Sequence, residues 1–166
     1  MPKSQLLNGT WELTWAEGAC LMAPEYYQGV TLSGRKMMPA RVPAPIHRVL
    51  QDAGFLDDIN VGLNSLKARW VEEMFWVYRH TFTVPADAAD QRAWLVFEHL
   101  EFEAEVSLNG IEIGRHANAN RPARFEVTGQ VKAGENLVVV KLSSGLHGAA
   151  DKPSLDYRTG IIGTLT

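Results

Sequence analysis

The chain has 166 residues, a length that suits one domain with a substantial hydrophobic core. Hydrophobic residues make up 46% of the chain and charged residues 21%, which is typical of a soluble globular domain. The formal net charge is -3, with no basic stripe or polybasic patch, so we expect neither nucleic acid nor a membrane as a partner. A single cysteine, Cys20, excludes an internal disulfide and a cysteine-rich zinc site.

The N-terminal sequence lacks the apolar core of a signal peptide, and no stretch reaches about 18 consecutive apolar residues. We therefore expect a cytoplasmic protein. A secreted or periplasmic protein whose signal peptide has been removed would give the same sequence.

In the first half of the chain, apolar residues alternate with polar ones, and helical periodicity occurs once. Residues 8–14 alternate and predict a first strand, whereas residues 18–41 predict irregular chain with one strand at most. Residues 43–54 predict one short helix, because apolar side chains recur three and four residues apart and Gly54 supplies a stop. Residues 55–73 then predict a long loop, and such loops are often functional or lie at an interface.

The second half of the chain contains two further strand patterns and one clear hairpin. Residues 75–84 alternate, and residues 94–97 are apolar throughout, which predicts a strand buried on both faces. Residues 100–108 and 111–113 alternate on either side of Asn109-Gly110, a pair that tolerates the positive φ angles of a type I′ turn. This pattern predicts a β-hairpin.

The remaining strands complete the prediction of fold class. Residues 124–128 and 137–142 predict a second hairpin-like pair, and residues 160–165 predict a last strand. At least six strands and one short helix predict an all-β sandwich. Its core is expected to contain three tryptophans that lie in strand patterns, Trp11, Trp76 and Trp94.

Six stretches are notable as an ordered set: Leu7-Asn8-Gly9-Thr10-Trp11, Val42-Pro43-Ala44-Pro45-Ile46-His47, Trp76-Val77-Tyr78-Arg79, Val106-Ser107-Leu108-Asn109-Gly110, Gly134-Glu135-Asn136-Leu137 and Tyr157-Arg158-Thr159-Gly160-Ile161. Together they resemble the N-terminal sugar-binding domain of glycoside hydrolase family 2 enzymes of the β-mannosidase and β-galactosidase type. The chain departs from that pattern at Glu101-Phe102, where the family has Asp-Thr.

The resemblance implies a galactose-binding-like jelly-roll sandwich over residues 1–166, a single domain at the N-terminal part of a larger retaining glycosidase that hydrolyses O-glycosyl bonds. In that family both catalytic glutamates lie on a TIM barrel, which needs about 250 residues of its own. The resemblance therefore implies a non-catalytic domain that packs on the catalytic barrel of the parent chain and shapes its carbohydrate-binding cleft. Carbohydrate and that barrel are the expected partners, and no cofactor is expected.

The predicted loop supplies four candidate contact residues: Asn60, Asn64, Arg69 and Trp70. Sugar sites combine an aromatic face that packs against C–H groups with polar side chains that bind hydroxyls. The resemblance implies that this loop approaches the active site of the barrel. Two roles stay open, contact with the substrate and simple packing against the barrel.

No residue of this chain is predicted to be catalytic. One predicted strand carries three alternate glutamates: Glu101, Glu103 and Glu105. Alternate residues lie about 6.5–7 Å apart along a strand, near the separations that glycosidases use, but a solvated strand face explains the row equally well. The five histidines show no helical zinc motif, so no metal site is expected; Asp57, Asp58 and Asn60 give only weak support for calcium.

Two rival functions make different predictions. A free-standing carbohydrate-binding module needs an exposed aromatic platform within this chain and binds sugars by itself. A purely structural interaction domain predicts a large exposed apolar patch and no affinity for sugars.

Overall fold

The computed structural model describes residues 4–17, 37–144 and 160–165, which form two antiparallel sheets around one core. The five-stranded sheet contains β1 (Gln5–Leu6), β4 (Ala44–Pro45), β6 (Trp94–Glu101), β9 (Ala123–Glu126) and β11 (Gly160–Leu165), in the order β1-β11-β6-β9 with β4 also paired to β11. The six-stranded sheet contains, from edge to edge, β3 (Met38–Val42), β2 (Gly9–Glu17), β5 (Met74–Val84), β10 (Gly134–Ser143), β7 (Glu103–Leu108) and β8 (Ile111–Ala117). The predicted all-β jelly-roll sandwich is confirmed.

Short helical segments connect some of these strands. They are α1 (Ile46–Asp52), α2 (Asn64–Lys67), the 3₁₀ helix η1 (Arg69–Glu73) and α3 (Ala86–Ala89). The predicted helix corresponds to α1, which buries Ile46, Val49 and Leu50 and is followed by Gly54 at a φ of +76°. The segment predicted as pure loop contains α2 and η1, because four or five residues are too few to show a helical period. Within the described ranges no helix is long and apolar enough to cross a membrane.

The core lies between the two sheets because alternate side chains of each strand point inward. Trp11 of β2 and Trp76 of β5 are buried as predicted, and the apolar run at Leu95–Phe97 is buried on both faces. Trp94 is only half-buried, and the guanidinium carbon of Arg92 lies 5.4 Å from its ring centroid. The prediction that Trp94 is a core residue is therefore wrong.

The continuous strand predicted from residue 100 to residue 108 is also wrong. β6 ends at Glu101 in the five-stranded sheet, and β7 begins at Glu103 in the six-stranded sheet. The chain crosses between the sheets at Phe102, which is only half-buried and does not belong to the core. Both strands face the same core, so the apolar alternation continues through the crossing and gives no sign of it.

One of the two predicted hairpins is confirmed. Asn109 and Gly110 have φ angles of 51° and 85°, and β7 pairs with β8 directly across this turn. The second predicted pair is not a hairpin, because β9 pairs with β6 whereas β10 pairs with β5 and β7. Val127 and Val131 in the connection are buried, so this segment passes between the sheets as part of the core.

The other strand predictions hold with shifted bounds. The first long strand extends to Glu17, and the one strand allowed for residues 18–41 is β3. The predicted last strand is β11. Residues 18–36, including Cys20, lie outside the described residues.

Candidate functional site

The predicted loop, residues 55–73, joins α1 to β5 and is called the site segment below. Its start is bound to the preceding helix, because the amide of Phe55 donates a 2.8 Å hydrogen bond to the carbonyl of Leu50. Its end is bound to the sheet, because the indole Nε1 of Trp76 donates to the carbonyl of Val71 at 2.9 Å. The hydroxyl of Ser144, directly after β10, donates to the carbonyl of Glu72 at 2.6 Å. The site segment is therefore fixed at both ends.

The middle of the site segment is organised around Asp58. Asn60 donates two 3.0 Å hydrogen bonds to Oδ1 of Asp58, from its backbone amide and from its side-chain Nδ2. These two bonds hold the pKa of the Asp58 carboxyl below its usual value, and the bond from the backbone amide has the larger effect. Asn64 donates from Nδ2 to the carbonyl of Asp58 at 3.0 Å and accepts from Nζ of Lys67 at 3.2 Å. Asn60 and Asn64 thus shape the turn while staying at the surface.

The arrangement around Asp58 also bears on the calcium hypothesis. The Asp58 oxygen that accepts both bonds from Asn60 faces N–H donors. Across residues 4–17, 37–144 and 160–165, no group of three or more histidine, cysteine or acidic side chains is placed to hold a metal ion.

An aromatic cluster attaches the site segment to the sandwich. The ring centroid of Trp70 lies 6.0 Å from that of Trp15 and 5.9 Å from that of Trp76. Phe55 meets Trp15 edge-to-face at 5.3 Å. Trp70 is half-buried and packs on the core, so the residue keeps part of its surface accessible, while the neighbouring Arg69 is exposed.

The site segment also carries exposed apolar side chains that sequence reasoning missed. Six large hydrophobic residues are exposed among those described, and four of them lie within residues 55–66. These four, called the apolar patch below, are Phe55 (52% exposed), Val61 (59%), Leu63 (72%) and Leu66 (59%). Single exposed leucines are ordinary, but four large apolar side chains exposed within residues 55–66 make the site segment a candidate interaction surface.

The glutamate row is divided by the crossing between sheets. Glu101 ends β6, whereas Glu103 and Glu105 lie on β7. Glu103 accepts a 3.0 Å hydrogen bond from the hydroxyl of Ser143, and Glu105 forms ion pairs with two cations. The three carboxylates therefore do not form one face of one strand.

The two-sheet architecture and topology define the chain as a galactose-binding-like sandwich. Residues 25–158 match the model of a protein family described as "Glycosyl hydrolase 2 galactose-binding domain-like". The chain belongs to this family and corresponds to the N-terminal domain of family 2 glycosidases, as the sequence resemblance predicted.

Similar proteins of known name agree with this assignment. β-Mannosidase B of Emericella nidulans is 41% identical over 87 residues, and that of Thermothelomyces thermophilus is 36% identical over 110 residues; these cover 52% and 66% of this chain. The chain spans only 10% and 13% of the length of those two relatives. The crystal structure of a β-D-mannosidase from Dictyoglomus thermophilum matches 92% of this chain and 18% of its own, with a TM-score of 0.75 and 28% identity.

Proposed function

We propose that this chain is the non-catalytic domain of a larger retaining glycosidase acting on β-mannosides, and that it packs on the catalytic barrel of its parent chain and forms one wall of the carbohydrate-binding cleft. The observation that carries the proposal is the apolar patch on the site segment. The relatives of this chain are several times longer than it is and are named β-mannosidases. Their length supports a catalytic barrel as the partner, and their name supports β-mannosides as the substrate class.

The apolar patch suits docking to another domain of the same chain. Removing four large side chains from water contributes on the order of 1.5–3 kcal/mol for each one fully buried. The side chains lie on a segment that is hydrogen-bonded at both ends and backed by tryptophans, so little order has to be gained on docking. A purely structural interaction domain would also expose an apolar patch. In the present proposal the apolar patch attaches this domain to the catalytic barrel, so that the domain can form one wall of the cleft.

The polar residues of the site segment suit the rim of a sugar cleft. Two amides and one guanidinium lie close in sequence to the apolar patch. They belong to Asn60 and Arg69, which are exposed, and to Asn64, which is half-buried. Such groups bind sugar hydroxyls, and the accessible part of Trp70 offers an apolar surface for sugar C–H groups. The site segment thus combines the two elements of a cleft wall, one for the barrel and one for the ligand.

Charged substitutions in the apolar patch test the docking. In the full-length parent protein, we expect Leu63→Asp combined with Leu66→Asp to lower kcat/KM on 4-nitrophenyl β-D-mannopyranoside by about tenfold or more, because a buried unpaired carboxylate opposes docking. The control is Ile111→Asp, which places a carboxylate at a residue 58% exposed, against 59% for Leu66, at the start of β8 and outside the patch. Equal activity of the double variant and the control would refute docking through the patch.

Arg69→Ala in the same protein separates the two roles left open for the site segment. A higher KM with unchanged kcat and unchanged thermal stability identifies contact with the substrate. Lower thermal stability with an unchanged KM identifies packing against the barrel.

A further inference from the structure

A shallow groove of about 430 Å³ crosses the outer face of the six-stranded sheet. Its lining among the described residues comes from four neighbouring strands and includes Phe75 of β5, Lys141 and Ser143 of β10, Glu103 and Glu105 of β7, and Arg115 of β8. Neighbouring strands lie about 4.8 Å apart, so the groove extends roughly 14 Å from β5 to β8. That length accommodates a disaccharide.

Strand register assembles the polar groups of the groove into two rows across the sheet. In one row Lys141 lies opposite Glu105, which lies opposite Arg115. In the other row Ser143 lies opposite Glu103. Directly opposed residues on one face have touching side chains, so the rows bring charged and hydroxyl groups together from distant parts of the sequence.

The charges in the groove form one connected set of ion pairs, and its centre is partly withdrawn from water. Nζ of Lys141 and Nη2 of Arg115 approach the same oxygen of Glu105, at 3.6 and 3.3 Å. The side chains of Lys141 and Glu105 are only 13% and 19% exposed. Arg115 is 70% exposed, as on any solvated strand face, but the low exposure of Lys141 and Glu105 distinguishes the centre of this groove from the ordinary outer surface of a sheet.

The groove also contains an aromatic group. Phe75 lies at its β5 side, half-buried, with Nζ of Lys141 at 5.2 Å from the ring centroid. An apolar ring beside carboxylates, an ammonium, a guanidinium and a hydroxyl provides C–H contacts together with both acceptors and donors for hydroxyl groups. Glu112 also pairs with Arg115, at 2.9 Å, so three carboxylates surround two cations, and the groove favours a neutral polyhydroxylated ligand over an anionic one.

We propose that this groove is a carbohydrate-binding site of the domain itself, for a neutral saccharide of one or two units, on the outer face of the six-stranded sheet and separate from the site segment. The carboxylates of Glu103 and Glu105 accept hydrogen bonds from sugar hydroxyls, and Lys141 and Arg115 donate to sugar oxygens. The site needs no catalytic domain, so its test is independent of docking through the apolar patch.

Amide chemical shifts of the ¹⁵N-labelled chain, titrated with β-1,4-mannobiose, test the proposal. We expect saturable shifts at residues 75, 103–105, 115–117 and 141–143, with a dissociation constant of about 1–10 mM. Sodium D-glucuronate, an anionic sugar, is expected to bind more weakly than the neutral sugar. No saturable shift up to about 50 mM mannobiose, shifts confined to residues 55–73, or a preference for glucuronate would each overturn the proposal.

Matched carboxylate variants locate the site within the sheet. Glu105→Gln is expected to weaken mannobiose binding by about tenfold or more, because a charge-assisted acceptor is lost. Glu126→Gln removes a carboxylate that pairs with Arg92 on the five-stranded sheet, and it should leave binding unchanged. Phe75→Leu provides a second groove variant that breaks no ion pair and is expected to weaken binding as well. Equal binding by the wild type and both groove variants would contradict the assignment.

Discussion

Replacement of Trp76 by phenylalanine is expected to lower the free energy of unfolding by about 2–3 kcal/mol. The Trp76 side chain is fully buried, and its ring packs 5.3 Å from Trp15 and 5.9 Å from Trp70. The smaller ring leaves a void among these tryptophans. It also removes the Nε1 donor, so the carbonyl of Val71 loses a 2.9 Å hydrogen bond inside the protein. Urea unfolding followed by far-UV circular dichroism measures the loss.

The same variant has a local effect that a general loss of stability would not produce. Hydrogen exchange is expected to quicken first in residues 69–73, because Trp76 holds the end of the site segment to the sheet. Trp94→Phe is the control, since Trp94 is half-buried outside the core and should cost less than about 1 kcal/mol. Equal losses for the two variants, with uniform hydrogen exchange, would contradict the anchoring role.

Replacement of Asn136 by alanine is expected to cost about 3 kcal/mol, although it removes only a small polar side chain. Asn136 is 1% exposed and lies at the start of β10. Its Oδ1 accepts hydrogen bonds from the amide of Lys132 and from Nδ2 of Asn109, at 3.0 and 2.9 Å. Its Nδ2 donates to the carbonyls of Lys132 and Gly134, at 2.7 and 3.0 Å. Alanine removes all four hydrogen bonds, and their partner groups are partly buried, so water replaces the lost bonds only incompletely.

Two further substitutions test whether Asn136 stabilises the protein through its hydrogen-bond network. One replaces its hydrogen-bond partner Asn109, and the other replaces an asparagine at the surface. Asn109→Gly keeps the positive φ angle of the turn but removes the partner side chain, together with its bonds to Gln130 and Leu137. Because the two residues share one hydrogen bond, the double variant should lose less stability than the sum of the two single losses. Asn120→Ala alters an exposed residue and is expected to change stability by less than about 0.5 kcal/mol. A loss below about 1 kcal/mol for Asn136→Ala would show that the network contributes little.

Features that depend on neighbouring residues were predictable from the sequence. Asn109-Gly110 specifies its turn by backbone conformation alone, and α1 combines a short apolar period with a glycine stop. The alternation in residues 75–84 predicted a strand, and the apolar side chains that alternate along it, Trp76, Tyr78, Phe82 and Val84, are all buried. Each of these features is decided within a few residues of chain.

Sheet membership was not predictable, because the two sheets of a sandwich share one core. Alternation says which side of a strand is apolar, but not which sheet the strand joins. For this reason the crossing at Phe102 and the separation of β9 from β10 were both missed. Only the pairing of strands distant in sequence, such as β9 with β6, decides these points.

The candidate site was predictable in position but not in character. The length of the loop before β5 indicated the site segment, and Trp70 was recognised as its aromatic residue. The exposure of Leu63 and Leu66 was missed because leucines are most often buried. The groove was missed because its four strands meet only in the folded sheet, where Lys141 and Arg115 converge on Glu105.

The claim that this chain forms a wall of a cleft, and does not itself perform the chemistry, is tested most directly by assaying the purified 166-residue chain with 4-nitrophenyl β-D-mannopyranoside. The account predicts that nitrophenol is released no faster than in buffer without protein. Release above that background, lost when Glu101, Glu103 or Glu105 is replaced by glutamine, would place a catalytic site within this sandwich and contradict the account.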